Sequence, residues 1–185
     1  FCRNADVVGT IEKGAARALN LVRTAAHRMR RNSLSGSRRN IAAHYDLGND
    51  FFALFLDDTL AYSCGIFPET ASSLREASVA KFQRICRKLE LNANDHVLET
   101  GAGWGGFALY AASEYGCRVT AVTLSQKQYM HMLQRVRNAG LEDRITVLLQ
   151  DYRRVQGSYD KIVSIEMIEA VGFSYFDTYF AKCSS

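Results

Sequence analysis

The chain has 185 residues, of which 48% are hydrophobic, enough for one domain with a hydrophobic core. No apolar run approaches the roughly 18 residues of a membrane span, and no signal peptide is recognisable. The net charge of +4 is modest. Five scattered cysteines without a C-x-x-C pair favour a reducing cytosol over a disulfide framework, and they form no metal-ligand pattern with the four histidines.

Positive charge is concentrated near the start of the chain. Between Glu12 and Asp46 there is no acidic residue, whereas the arginines there are Arg17, Arg23, Arg28, Arg30, Arg31, Arg38 and Arg39. Apolar residues near a 3.6-residue period predict an amphipathic helix over 10–31, and the polar stretch 32–37 predicts a boundary. We therefore divide the chain into a basic helical segment with its linker, 1–39, and a second domain, 40–185. The basic segment is either a solvated face or a surface for an anionic partner.

The rest of the chain alternates between helical and strand patterns. We expect a helix over 41–56 in two pieces, with Asp50 as N-cap of the second, and a helix ending near Leu89 that begins with a Ser73/Glu76 capping box. The predicted strands are 96–99, 118–123, 145–149 and 160–165, and the later helices are 107–115, 125–139 and 175–183. Such alternation indicates βαβ units and a parallel, right-handed sheet.

A glycine-rich turn follows the first predicted strand. Gly101, Gly103 and Gly106 match G-x-G-x-x-G, and glycine lets bare backbone N–H groups approach a ligand at a helix N-terminus. The next strand ends without the acid that a dinucleotide site needs, and Trp104 fits poorly beside a pyrophosphate. The turn alone is a weak signal that leaves both nicotinamide binding and a purely packing role open.

Polar groups at the carboxyl ends of the four strands should share one edge of the sheet, where open α/β sheets bind ligands. They are Gly101, Thr123, Asp151 and Glu169. Four strands ending on an unpartnered helix would leave the sheet poorly covered, and the chain does not begin with Met. We expect a fragment of a longer protein with further strands after Ser185.

Five ordered motifs together resemble one family, the first of them made of two neighbouring stretches. They are residues 40–47, 49–52, 62–64, 99–105, 123–125 with Gln128, and 166–172. This set is similar to the cyclopropane-fatty-acyl-phospholipid synthase and mycolic acid cyclopropane synthase family of S-adenosylmethionine-dependent methyltransferases. The resemblance implies a Rossmann-like class I methyltransferase fold.

The resemblance also implies where the cofactor S-adenosylmethionine would bind. Tyr62 and Ser63 would contact its methionine part, and Asp151 with Tyr152 would lie by the adenine. Thr123, Leu124 and Gln128 would hold the ribose, which accounts for the absent acid. The glycine turn would cradle the cofactor through Glu99, Gly101, Gly103, Trp104 and Gly105.

The family's chemistry implies a second small ligand. A cis alkene that attacks the sulfonium methyl becomes a carbocation, and a base must then remove a proton from the new methyl group to close the ring. The resemblance implies bicarbonate as that base, held by Cys64, by Ile165 mostly through its backbone, and by Glu169, with Tyr45 lining the site. A His and a Tyr that complete this site in family members would lie beyond Ser185, so we expect this chain alone to be inactive.

The leading hypothesis is an enzyme that forms cyclopropane fatty acids on unsaturated phospholipid acyl chains. It would be cytoplasmic and peripheral at the inner face of an anionic membrane, with no nucleic-acid partner and no metal; the sequence leaves the oligomeric state open, a homodimer included. One alternative keeps the cofactor but methylates the nitrogen of a small amine, as in related plant alkaloid N-methyltransferases. Another is a non-catalytic relic that binds lipid or nucleic acid.

Overall fold

A computed structural model describes residues 48–185. The expected basic segment, the helix over 10–31 and the boundary at 32–39 lie outside the described residues. Within them the helices are α1 (Asn49–Ala53), α2 (Leu74–Lys88), α3 (Gly106–Tyr115), α4 (Gln126–Asn138), α5 (Ile168–Val171) and α6 (Phe176–Cys183). Short 3-10 turns lie at Tyr152–Arg154 and Phe173–Tyr175.

Four parallel strands form the sheet. They are β1 (His96–Thr100), β2 (Arg118–Thr123), β3 (Ile145–Leu149) and β4 (Lys161–Ser164), in the spatial order β3-β2-β1-β4. Thr100 pairs with Val122 on one side and with Ser164 on the other, so the carboxyl ends lie level. The chain leaves β1 towards β2 and β3 and then returns to the opposite side for β4. The switch point between β1 and β4 is where such sheets place a ligand.

The core lies on both faces of the sheet because neighbouring side chains of a strand point to opposite faces. Val97 belongs to the larger cluster, with Phe82 of α2, Phe107 of α3 and Met132 of α4. Leu98 belongs to a smaller cluster on the other face. Full burial of a side chain such as Phe107 contributes roughly 1.5–3 kcal/mol. Within 48–185, no helix combines the length and the apolar character that crossing a membrane requires.

The sequence predicted the sheet closely. The expected strands agree with the observed ones to within a residue at each end, and the Ser73/Glu76 capping box is confirmed. The N-cap assigned to Asp50 is wrong: α1 begins at Asn49, Gly48 is its N-cap, and Asp50 lies in the first turn, where its negative charge favours the positive end of the helix.

The buried face of α2 also differs from a purely apolar stripe. The apolar spacing in the sequence predicts one buried face that includes Leu74, Ala77 and Phe82. Ala77 and Phe82 are buried, and Cys86, Ser78 and Lys81 are buried with them. Leu74 is instead exposed. The helix therefore presents two polar groups to the part of the molecule that carries residues 57–64.

Candidate active site

The glycine turn after β1 is fixed to the neighbouring strand. The backbone N–H groups of Gly101 and Ala102 both donate to the carbonyl of Val122, at 3.0 and 2.9 Å. Gly105 is the N-cap of α3 with φ 82°, a left-handed conformation that favours glycine. The turn thus places the N-terminus of α3 at the β1 end of the ligand edge, as the sequence predicted.

Most glycines of the turn are there for close packing. A Cβ on Gly105 would lie 2.6 Å from Met132 Cγ, and one on Gly101 would lie 2.8 Å from Met167 Cγ. Gly103 is different, because a Cβ there would meet nothing within 4 Å, although its φ is +56°. Gly103 therefore faces open space beside the turn, which suits the approach of a ligand.

Trp104 anchors the turn through its side chain. It is 2% exposed, and its Nε1–H donates to Oδ1 of Asn49 at 2.8 Å. Its ring lies 4.8 Å from that of Phe52, centroid to centroid. Because the side chain of Trp104 is buried, only its backbone is positioned to face a ligand.

Arg135 of α4 ties the turn to the segment before α2. Its guanidinium donates to the carbonyls of Trp104 at 2.9 Å and of Thr59 at 3.0 Å through one nitrogen. The other nitrogen donates to the carbonyl of Asp58 at 2.9 Å. Burial lowers the pKa of Arg135, but a guanidinium stays charged in proteins. One rigid fork thus fixes two loops that border the ligand edge.

Glu99 lies at the end of β1 and is 3% exposed. Burial raises its pKa to about 8, an effect that the backbone N–H of Ala108 partly offsets. Its Oε2 has no hydrogen-bond partner among the described residues. At neutral pH the side chain is therefore largely a protonated acid beneath the turn, placed to support it or to accept a hydrogen bond from a ligand.

Thr123 and Gln128 form a buried pair at the end of β2. The Thr123 hydroxyl donates to Oε1 of Gln128 at 2.8 Å and accepts from the backbone N–H of Ser125 at 3.2 Å. Gln128 is 3% exposed, and its Nε2 has no partner among the described residues. Leu124 between them is half-buried. A buried amide with unused N–H groups fits an oxygen-rich ligand such as a ribose.

Tyr62 and Ser63 lie on the segment between α1 and α2. Tyr62 is 48% exposed, and its ring meets Phe52 edge-on at 5.2 Å. Ser63 is half-buried and accepts a hydrogen bond from the ammonium group of Lys81. The sequence predicted Tyr62 and Ser63 as ligand contacts but gave Lys81 no role.

Cys64 is held at the end of β4. Its backbone N–H donates to Oε1 of Glu166 at 2.8 Å. Hydrogen bonding of the thiol to Glu166, together with the charge of that carboxylate, raises the pKa of Cys64. Cys64 is therefore a neutral thiol, and this contact brings it to the strand end that carries Ile165. Ile165 itself packs against the larger core cluster.

Glu169 lies one turn beyond that contact, in α5, and is exposed. The acid that meets Cys64 is Glu166, whose backbone has φ 46°, unusual for a residue other than glycine. The sequence singled out Glu169 and passed over Glu166, because a contact across so many residues leaves no local pattern.

Asp151 and Tyr152 lie after β3. Asp151 is buried, and its carboxylate accepts from the Nε and a terminal nitrogen of Arg153 at 2.7 and 2.6 Å. Tyr152 is half-buried, with its ring 5.4 Å from that of Tyr179. Asp151 thus orders the chain after β3, while Tyr152 presents an aromatic ring on the side of α6.

Tyr45, expected to line the site, lies outside the described residues. Among residues 48–185, no three side chains of His, Cys, Asp or Glu are grouped closely enough to hold a metal ion. The structure brings the glycine turn, the Thr123–Gln128 pair and Cys64 with Ile165 to the carboxyl edge of β2, β1 and β4. Residues that the sequence did not single out are Lys81, Arg135 and Glu166.

Known proteins resemble this chain over most of its length. The cyclopropane-fatty-acyl-phospholipid synthase of Escherichia coli is 46% identical over 138 residues, which cover 75% of this chain and 35% of the relative. The tuberculostearic acid methyltransferase UfaA1 of Mycobacterium tuberculosis is 40% identical over an alignment of 186 residues, which covers 95% of this chain and 43% of the relative. The chain thus spans less than half of the length of either relative.

The fold also matches solved structures. The mycolic acid cyclopropane synthase CmaA1, complexed with SAH and CTAB, superposes with a TM-score of 0.75 at 37% identity, covering 78% of this chain and 51% of that one. The expected Rossmann-like class I methyltransferase fold with a parallel sheet is confirmed. Residues 32–185 match the family described as mycolic acid cyclopropane synthetase, and the chain belongs to this family.

Proposed function

We propose that the protein transfers a one-carbon unit from S-adenosylmethionine to the cis double bond of unsaturated phospholipid acyl chains and so forms cyclopropane fatty acids. The proposal is supported by family membership together with the similarity to enzymes named for lipid substrates. Its main structural support is the buried Gln128 side chain, whose Nε2 has no partner among the described residues, together with the open space at Gly103 of the glycine turn. The Gln128 amide suits the ribose hydroxyls of such a cofactor, and the open space at Gly103 lets the cofactor approach the backbone.

The cofactor-binding residues follow from this arrangement. Gly103 and the backbone around Trp104 would lie against the cofactor, Gln128 with Thr123 and Leu124 would hold its ribose, and Tyr62 with Ser63 would contact its methionine part. Glu99, Gly101 and Gly105 would support the turn from below, and Asp151 with Tyr152 would border the adenine. S-adenosylmethionine supplies an electrophilic methyl group on a sulfonium sulfur.

A base must accompany this chemistry. Attack by the alkene's π electrons on this methyl group would form one new carbon–carbon bond, break the sulfur–methyl bond with release of the neutral thioether, and leave a cation on the acyl chain. Ring closure then needs loss of a proton from the new methyl group. We infer that bicarbonate takes this proton and that Cys64, the backbone of Ile165 and Glu169 hold it, with Tyr45 lining the site. The contact of the Cys64 backbone with Glu166 at the end of β4 supports this role because it brings Cys64 close to Ile165.

The acyl substrate places the enzyme at a membrane surface. We propose that the arginines before residue 40 attract anionic head groups from the cytoplasmic side, since each basic residue near such a surface contributes about 1 kcal/mol. A nucleic-acid partner is not part of this proposal. Equal binding of the purified protein to duplex DNA and to anionic vesicles at the same salt concentration would contradict this assignment.

A reconstituted assay tests the proposal. The protein expressed from its complete gene is incubated with methyl-labelled S-adenosylmethionine and vesicles of monounsaturated or fully saturated phospholipid. We expect label only in the unsaturated lipid, stimulation by bicarbonate, and loss of both in Glu169→Gln. The control is Glu142→Gln, the same change at an exposed site. Label in a small amine, with none in either lipid, would instead support the N-methyltransferase alternative.

A further inference from the structure

A lysine is buried where the sequence predicted an apolar helix face. Lys81 of α2 is 5% exposed, between Ala77 and Phe82. Withdrawing an ammonium group from water costs several kcal/mol unless hydrogen bonds and charges compensate. A lysine in this position therefore needs a partner that offsets the cost of burying its charge.

The described residues compensate that charge only in part. The ion pairs within 48–185 are those of Arg75 with Asp58 and of Arg153 with Asp151, so no carboxylate lies within 4.0 Å of the Lys81 ammonium there. Its hydrogen-bond partner is the hydroxyl oxygen of Ser63. Burial lowers the pKa of Lys81, and Glu166 opposes this from a longer distance. An ammonium group has three N–H donors, and one is used here.

This contact determines which hydrogen-bonding role the Ser63 hydroxyl has. An ammonium group can only donate, so the Ser63 oxygen must accept. The O–H hydrogen of Ser63 finds no acceptor among the described residues, and it is therefore free to donate to a ligand. Donation from a cation to the hydroxyl oxygen also strengthens the hydrogen bond that the hydroxyl makes in turn.

The position of this pair indicates what it faces. Ser63 precedes Cys64, whose backbone is fixed to Glu166 at the end of β4. The pair thus lies at the β1–β4 switch point. Ser63 is also one of the two residues that we propose contact the methionine part of the cofactor. That part carries a carboxylate, a group that can only accept hydrogen bonds at neutral pH and that a buried cation attracts.

We propose that Lys81 and Ser63 together form the carboxylate-recognition site for the cofactor, with Lys81 as a positioning residue that acts through the Ser63 hydroxyl. This inference rests on the proposed function and deepens it, because it explains how the pocket would distinguish the intact amino-acid end of S-adenosylmethionine from the same molecule without its carboxylate.

The probe is decarboxylated S-adenosylmethionine, which keeps the nucleoside, the sulfonium and the amine. Dissociation constants for both ligands are measured with the protein from the complete gene and with Lys81→Met, which has a side chain of similar length without the charge. A charge-assisted hydrogen bond corresponds to about a ten- to hundredfold change in affinity. We expect Lys81→Met to lose that factor for S-adenosylmethionine and to bind the decarboxylated ligand as before. Lys88→Met, an exposed site on the same helix, should change neither constant.

A second variant separates recognition from packing. Ser63→Ala should lose the same selectivity, and the double variant Lys81→Met/Ser63→Ala should be no worse than either single variant, because both act on one contact. Equal weakening of both ligands by Lys81→Met, or no weakening, would overturn the inference, and Ser63→Ala decides alone if Lys81→Met does not fold. Wild-type protein that binds both ligands equally also overturns it but leaves the proposed function standing. Wild-type protein that binds neither contradicts the proposed function itself.

Discussion

The Glu166 carboxylate accepts a hydrogen bond from the backbone N–H of Cys64 at 2.8 Å, although the two residues are 102 positions apart in the sequence. This contact connects the segment before α2 to the end of β4 across the switch point of the sheet. It also sets the chemistry of Cys64, because the same carboxylate hydrogen-bonds the thiol and raises its pKa. The thiol is therefore a neutral hydrogen-bonding group at neutral pH.

Replacing Glu166 with Gln keeps an oxygen that can accept from Cys64 but removes the negative charge. The pKa of the Cys64 thiol should then fall, and its alkylation by iodoacetamide at pH 8 should become faster than in the wild type. Peptide mass spectrometry resolves this cysteine from the buried Cys86 and Cys117. The matched control is Glu169→Gln, which should leave the pH profile of Cys64 unchanged; the reverse result would mean that Glu169 governs the thiol.

Glu99 should make the fold less stable as the pH rises. Its pKa is about 8 in the folded protein against the ordinary 4.5. Between these values the folded state holds one proton more than the unfolded state, so the free energy of unfolding falls with increasing pH and levels off above 8. Glu99→Gln removes this dependence and should gain stability over the wild type by up to about 1.4 kcal/mol per pH unit in that window.

Denaturant unfolding at several pH values measures this effect. The two proteins should be closest near pH 5 and furthest apart near pH 8. Glu142→Gln, at an exposed site, serves as the control and should follow the wild type at every pH. A constant offset between Glu99→Gln and the wild type from pH 5 to 8 would show that Glu99 is ionised in the folded protein.

Gly103→Ala should separate ligand binding from folding. Gly103 and Gly140 both have positive φ, +56° and +64°, and at neither would a Cβ meet an atom within 4 Å. Alanine at either site should cost about 1–2 kcal/mol of stability through backbone strain alone. Only Gly103→Ala should also weaken S-adenosylmethionine binding, by at least about tenfold, because its Cβ would occupy the space beside the turn. Calorimetric titration of both variants is decisive, and equal affinities would place the ligand elsewhere.

Arg135→Lys should loosen two loops at once. Lysine keeps the charge but has no planar fork, so it cannot reach the carbonyls of Trp104, Thr59 and Asp58 together. The expected loss of stability is roughly 2–4 kcal/mol, because carbonyls lose hydrogen bonds to a charged group. Thermal unfolding measures it, with exposed Arg137→Lys of the same helix as the control. A loss equal to that of Arg137→Lys would show that the three carbonyls do not depend on this fork.

The strands were predictable because their signals are local. β2, for example, lies between Gly116 and Ser125, and its run rich in valine and threonine coincides with the observed strand Arg118–Thr123. Thr123 and Gln128 were named together only through the family resemblance, and the structure joins them by a hydrogen bond from the Thr123 hydroxyl to the Gln128 amide oxygen.

The buried polar groups were less accessible to sequence reasoning. Lys81 is four residues after Ala77, so helical spacing places it on the buried face. A lysine in a helix nevertheless usually indicates a solvent-exposed position. Arg135 next to Val136 presents the same difficulty. The Glu166 contact with Cys64 depends on a left-handed backbone at an acidic residue, a conformation that no composition rule indicates.

Cyclopropane formation is tested most directly by following the methyl group in living cells. Bacteria without a cyclopropane synthase of their own would express the complete gene and grow on methionine with a deuterated methyl group, and their phospholipid acyl chains would be analysed by mass spectrometry. If the protein forms cyclopropanes, monounsaturated chains should gain one dideuterated methylene and lose their double bond. Labelled chains that keep a double bond would contradict cyclopropane formation, and unlabelled lipids in cells that hold folded protein would contradict an acyl acceptor altogether.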